Sequence, residues 1–167
     1  LTMIISFAFW WFSMVMVDNI IVGVALFEIF HSAVHQIARR DYTPRQIEAW
    51  APRTLDENAW REHIRVLQPF VAVRYGRPVG YADLQRNGYI DHFFVCGDHP
   101  RQGIGHALMA AIETQARHWQ LGELSADVSL TAEAFFSRYG FQVVERQSRT
   151  VRGVALANAR MHRVLRS

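Results

Sequence analysis

The chain of 167 residues has a single cysteine, Cys96, so it can form no intrachain disulfide, and a reducing cytoplasm is its expected setting. It contains no Gly-Lys-Ser or Gly-Lys-Thr run, which excludes a P-loop. It has no arginine or lysine block and no basic stripe interleaved with aromatics, so nucleic acid is not an expected partner. His31 and His35 stand four apart, but no His-Glu-x-x-His run or cysteine pair accompanies them. They read as a helical surface pair, and no metal is expected. Internal repeats and low-complexity linkers are missing as well. What is present is a chain that is 50% hydrophobic, enough for one domain with a proper core. Its net charge of +3 and pI near 9.5 fit a solvated surface or an anionic ligand.

Leu1 to Val17 carries no charge and is rich in aromatics, with Phe7, Phe9, Trp10, Trp11 and Phe12. It lacks a basic leader and a small-residue cleavage site, so a signal peptide fits poorly. Its length reaches the lower limit of a membrane span. Burial within the domain is the expected reading, and a membrane or partner contact is the second.

The stretch Arg101-Gln102-Gly103-Ile104-Gly105-His106-Ala107 follows a strand-like segment, Tyr89 to Val95, and opens an apolar stripe at Ile104, Ala107, Leu108, Ala111 and Ile112. A glycine loop between a strand and a helix aims several backbone amides at one spot, where the helix dipole favours an anion. Leu108 occupies the place of the third glycine that a dinucleotide fingerprint requires. The pattern resembles motif A of the GNAT superfamily of N-acetyltransferases, Gln/Arg-x-x-Gly-x-Gly/Ala, with Pro100 departing at the Gln/Arg slot. Further on, Ser129 to Phe141 resembles motif B of the same family: Ala132, Phe135, Gly140 and Phe141 match, Ser129 stands in the Asn slot, and Phe136 replaces the tyrosine proposed as general acid. By residue pattern alone this second stretch is a Ser-capped short helix, a C′ glycine and a strand.

The resemblance implies an α/β (α+β) GNAT fold, a mixed, mostly antiparallel sheet of about six or seven strands flanked by about four helices. It implies an apolar extension at residues 1–9 and a single acetyltransferase domain at 10–167, with roughly Trp10 to Val17 as the first strand. Periodicity predicts a first helix through Leu26, Phe27, Phe30, Val34 and Ile37. A second opens at Thr43-Pro44 and stops at Pro52, and a third piece runs from Asp56 to Val66. Phe70 to Tyr75 and Val79 to Gln85 read as strands, and Asn87-Gly88 as a hairpin turn into the Tyr89 strand. A crossover through the motif A helix then reaches a parallel strand near Leu124 to Ser129, and strands follow at Phe141 to Gln147 and Ala155 to Val164.

The implied ligand is acetyl-CoA, with no metal. The implied cofactor contacts are Phe93, Phe94 and Val95 along the pantetheine arm, Arg101, Gln102, Gly103, Ile104, Gly105 and His106 at the pyrophosphate, and Ser129 and Phe136 from motif B. Asp91 is the first candidate for the base, sharing a strand face with Phe93, and His92 on the other face is the second. Tyr139, near one helical turn past Phe136, is the candidate acid. Arg39 to Trp50 resembles a subgroup of bacterial GNAT proteins of unassigned substrate, and its Tyr42 and Trp50 are expected to wall the acceptor pocket. The expected reaction is transfer of an acetyl group to a primary amine, on a small molecule or a peptide, by a monomer or homodimer. A non-catalytic acyl-CoA-binding module and a membrane-associated or oligomerising protein are the alternatives.

Overall fold

The computed structural model describes residues 20–54, 56–98 and 102–165. The extension at 1–9, the strand expected at Trp10 to Val17, and Arg101 lie outside the described residues. Helix α1 (Ile20–Ser32) does not run on regularly to Arg40. Ala33–Ile37 forms one wide turn, with the Ala38 amide donating to the Ala33 carbonyl, and Ala38–Arg40 a tight one. The extra residue in the wide turn rotates the apolar stripe, so Val34 and Ala38 are buried while Ile37 is only partly so. Helix α2 (Pro44–Trp50) starts as its residues dictate. The Gln46 amide donates to Thr43 Oγ1 at 3.3 Å, Gln46 Oε1 accepts from the Thr43 amide at 2.9 Å, and proline fills N1. In α3 (Glu57–Leu67), Asp56 caps the Ala59 amide at 3.0 Å, and Trp60 Nε1 donates to the Gly23 carbonyl at 2.7 Å, tying α3 to α1.

Strands β1 (Phe70–Arg74) and β2 (Arg77–Ala82) form a hairpin with Tyr75 and Gly76 in the left-handed region. The strand expected from Tyr89 to Val95 is two strands. β3 (Tyr89–Ile90) pairs parallel with β5 (Glu123–Ser129), while β4 (Phe93–Val95) pairs antiparallel with β2. The crossover between β4 and β5 is helix α4 (Ile104–His118). β5 pairs antiparallel with β7 (Val154–Val164), and β7 with β6 (Gln142–Val151). The orders are β1-β2-β4 and β3-β5-β7-β6, with β3–β5 the one parallel pair among them.

Seven strands and five α-helices are present among the described residues, one helix more than the expected four or so. Helix α5 (Glu133–Arg138) also starts one turn later than expected. Ser129 Oγ accepts from the Ala132 amide at 3.3 Å, capping the turn ahead of the helix rather than the helix itself. Its end is as read: Gly140 has φ +82°, and the Phe141 amide reaches back to the Phe136 carbonyl at 3.2 Å.

Side chains divide between two cores. Ala72 and Ala82 join Leu108, Ile112 and Phe136 beneath α4 and α5, whereas their neighbours Val71 and Tyr81 join Leu26, Val34, Ile47 and Ile64 beneath α1 to α3. Val79, at the register shift between β1 and β2, also joins the first core. Gly80 lets α4 lie close on β2, because a Cβ there would meet Ile104 Cγ2 at 2.7 Å. Among the described residues no helix is long and apolar enough to cross a membrane.

Candidate active site

One buried carboxylate divides the strand. Asp83 is fully buried, and its Oδ1 accepts from the Asp91 amide at 2.9 Å and the His92 amide at 2.7 Å. Both amides are thereby withdrawn from ladder pairing, and the chain changes neighbours at that point. Burial pushes the Asp83 pKa up to about 6, against the pull of the two amides. β4 then has β2 on one side and, among the described residues, no strand on the other. The His92 carbonyl and Cys96 amide bond across to β2, so Phe94, with the same parity, also faces Tyr81. The amides and carbonyls of Phe93 and Val95 point to the free edge. Of the three expected strand residues, these two offer main-chain groups there.

A cleft of about 480 Å³ opens between the parted strands. Phe93, Ser129, Ala132 and Phe136 line it from the α5 side, and Phe30, Trp50, Trp60 and Phe94 from the side of α1 to α3. The Phe30 ring meets Phe94 at 5.0 Å and stacks on Trp60 at 5.8 Å. Tyr42 also lines the cleft, but its hydroxyl is engaged, donating to the Ala157 carbonyl at 2.6 Å and accepting from the Leu130 amide at 3.0 Å. The two expected pocket residues are brought together, their rings 5.4 Å apart.

Asp91 and His92 both line the cleft, although simple strand alternation puts them on opposite faces. The break at Asp83 removes that alternation. Asp91 is exposed. The His92 ring lies between Tyr81, whose hydroxyl is 3.0 Å from Nδ1, and His63, whose Nε2 is 3.1 Å from its own Nε2. Burial, helped by the neighbouring His63, pushes the His92 pKa down to about 3, so the ring is neutral near pH 7. Tyr139 is placed elsewhere. Its hydroxyl is 2.6 Å from His106 Nδ1, its ring packs on Phe135 at 4.9 Å, and it is not among the cleft-lining residues. One helical turn beyond Phe136 turns it toward α4, not into the cleft.

At the start of α4, Gly103 is the N-cap with φ +77° and no side chain caps the helix. A Cβ on Gly103 would meet nothing within 4 Å among the described residues, so the main chain there is open to a bulky group. The amides of Ile104, Gly105 and His106 lie in the first turn, where no intrahelical acceptor exists. Gly105 has a different reason to be glycine: a Cβ there would meet the Phe135 ring at 3.1 Å. Ile104 is a core side chain, and Gln102 Oε1 is buried with no hydrogen-bond partner among the described residues. A free strand edge, an open glycine and uncapped amides fit an extended, phosphorylated ligand such as acetyl-CoA.

The sequence reading missed Asp83, Tyr81 and His63. A carboxylate in the apolar run Val79 to Leu84 was the available signal for Asp83. His63 lies on a separate helix, and no spacing rule links it to His92.

Residues 38–162 match the family model described as "Acetyltransferase (GNAT) domain". The chain is 38% identical over 130 residues to "Uncharacterized N-acetyltransferase YafP" of Escherichia coli (strain K12), covering 78% of this chain and 81% of that one. The crystal structure of a GCN5-related N-acetyltransferase from Rhodopseudomonas palustris, also described as "Aminotransferase, Class-II", superposes with a TM-score of 0.84 at 27% identity, over 96% of this chain and 99% of that one. The Salmonella typhimurium acetyltransferase yncA with its cofactor acetyl-CoA superposes with a TM-score of 0.64 at 20% identity, over 93% and 95% of the two chains, and shares the fold. Motifs, fold and relatives agree, and this chain belongs to the GNAT family of N-acetyltransferases.

Proposed function

We propose that this enzyme moves an acetyl group from acetyl-CoA to a primary amine by direct attack within the cleft. The observation that carries the reading is the strand division at Asp91 and His92, which leaves the Phe93 and Val95 main chain without a strand partner among the described residues, on the α4 side of an aromatic-walled cleft. When bound, acetyl-CoA supplies the acetyl group as a thioester. The β4 edge takes the pantetheine arm as an added strand, and its amides polarise the thioester carbonyl. The first-turn amides of α4, from Gly103 to His106, hold the pyrophosphate.

At the other end of the cleft Asp91 accepts the proton that the amine must lose. It is exposed, so the proton passes on to solvent. His92 is a poor resting place for that proton because burial keeps its ring neutral. It instead holds the wall beside Asp91 through Tyr81 and His63. Tyr139 supplies no proton to the departing thiolate. A thiol of ordinary pKa near 8.5 is a tolerable leaving group without one. Phe27, Phe30, Trp50 and Trp60 suit an amine on an apolar or aromatic body, whether small molecule or peptide. The test is release of free coenzyme A thiol over a panel of aliphatic, aromatic and peptide amines. Amine-dependent release is expected, with aromatic amines favoured; release that no amine stimulates would refute the reading.

A further inference from the structure

We propose that His63, Asp91 and His92 form a binding site for a borderline divalent transition metal, with Zn²⁺ its best match. His63 comes from α3, while Asp91 and His92 are consecutive residues at the break between β3 and β4, and one ligand atom from each of the three lies within 4.8 Å of the others. The two imidazole Nε2 atoms are 3.1 Å apart. Tetrahedral ligands about 2.0–2.1 Å from zinc stand about 3.4 Å from one another, so the histidine pair already has the spacing of a shared ion. Asp91 is exposed, and rotation about its side-chain bonds brings its carboxylate in as the third ligand.

The surroundings also suit a metal. His92 must present the Nε2 lone pair, which requires the proton on Nδ1. The fully buried Tyr81 hydroxyl, 3.0 Å from Nδ1, accepts that proton's hydrogen bond and fixes the ring. His63 gives up its Nε2–H and carries its proton on Nδ1. Its helix is held by Trp60 on Gly23, so the two nitrogens are presented by anchored elements. Two imidazoles and one carboxylate, with a position left open to the cleft, are a donor set for zinc, cobalt or copper rather than magnesium or calcium. The pair first noticed in the sequence is a poorer site. The His31 and His35 rings stack at 3.9 Å, and His35 Nε2 is 2.7 Å from the Ala51 carbonyl.

A bound ion takes the Asp91 oxygen that the acceptor's proton needs, so occupancy inhibits transfer. That consequence rests on the proposed role of Asp91, whereas the site does not. The experiment is titration of the full chain with Zn²⁺ against a chromophoric chelator, and with Co²⁺ followed by its visible absorption. One equivalent should bind. His63→Ala should weaken binding about a hundredfold or more and Tyr81→Phe about tenfold, as ligand and supporting residues do. His35→Ala should change nothing. Absence of stoichiometric binding, or equal affinity in His63→Ala, would overturn the proposal, as would loss of binding in His35→Ala. Binding without inhibition would uphold the site and remove Asp91 from proton transfer.

Discussion

The two ends of the cleft are made of different material. At the α4 end the groups proposed to work are main chain: the free edge of Phe93 and Val95, and the amides that follow Gly103. At the other end they are side chains, Asp91, His92, His63 and a set of aromatics brought from α1, α2 and α3. Backbone hydrogen-bonding groups are the same in every chain, so what a donor site of this kind requires of sequence is small residues and a dipole in one place. An acceptor site made of side chains can vary without disturbing the sheet.

The largest contrast is expected from a charge placed at the backbone end. Asparagine and aspartate tolerate the left-handed backbone of Gly103 about equally. Gly103→Asp should weaken acetyl-CoA binding about a hundredfold by setting an anion in the cradle, while Gly103→Asn should cost about tenfold or less, both by calorimetry. Gly105 is the worse place for this test, because a side chain there displaces Phe135. At the side-chain end, Asp91→Asn should lower kcat about a hundredfold, the low end for proton transfer, with acetyl-CoA affinity within about threefold of the parent. Equal loss in both quantities would erase the distinction between the ends.

The junction between them is Asp83. Asp83→Val leaves two part-buried amides without their acceptor and should cost about 2–4 kcal/mol in urea denaturation. Asp83→Asn keeps the accepting oxygen and should cost much less.

The pH dependence of stability follows from the same corner. An unfolded histidine takes its proton near pH 6.5, whereas folded His92 resists it down to about 3. Its contribution is complete above pH 6.5 and is lost as pH falls from 6.5 toward 3. Asp83 acts oppositely: its raised pKa favours the fold below 3.8, and that advantage is lost as pH rises through about 6. His92 departs further, so the chain should lose stability on acidification from pH 6.5, and His92→Phe should flatten that loss in thermal melts. The smallest effect belongs to Tyr139→Phe. With its hydroxyl on His106 and off the cleft, kcat should change by about threefold or less.

The same division explains what was legible in the sequence. Gly103, the α4 stripe, the Thr43 cap and Gly140 are local: each needs only its neighbours within a few positions, and each stands where its pattern put it. The strand from Tyr89 to Val95 looked continuous because nothing within it breaks it. The cause is Asp83, eight residues before Asp91 and acting through a side chain on main-chain amides. The face assignment of Asp91 and His92 failed for that reason, since alternation holds only while a strand stays in its ladder. Tyr139 was counted along the helix, and the direction of its hydroxyl depended on His106 from another helix. His63 meets His92 only through the packing of α3 on α1.

The claim that main chain holds the donor is tested most directly by amide hydrogen exchange, residue by residue, with and without saturating acetyl-CoA. Slower exchange is predicted at Phe93 and Val95, whose amides face the open edge, and at Ile104, Gly105 and His106, with Phe94 unchanged because its amide already faces β2. Unaltered rates at Phe93 and Val95 under saturation would contradict the account.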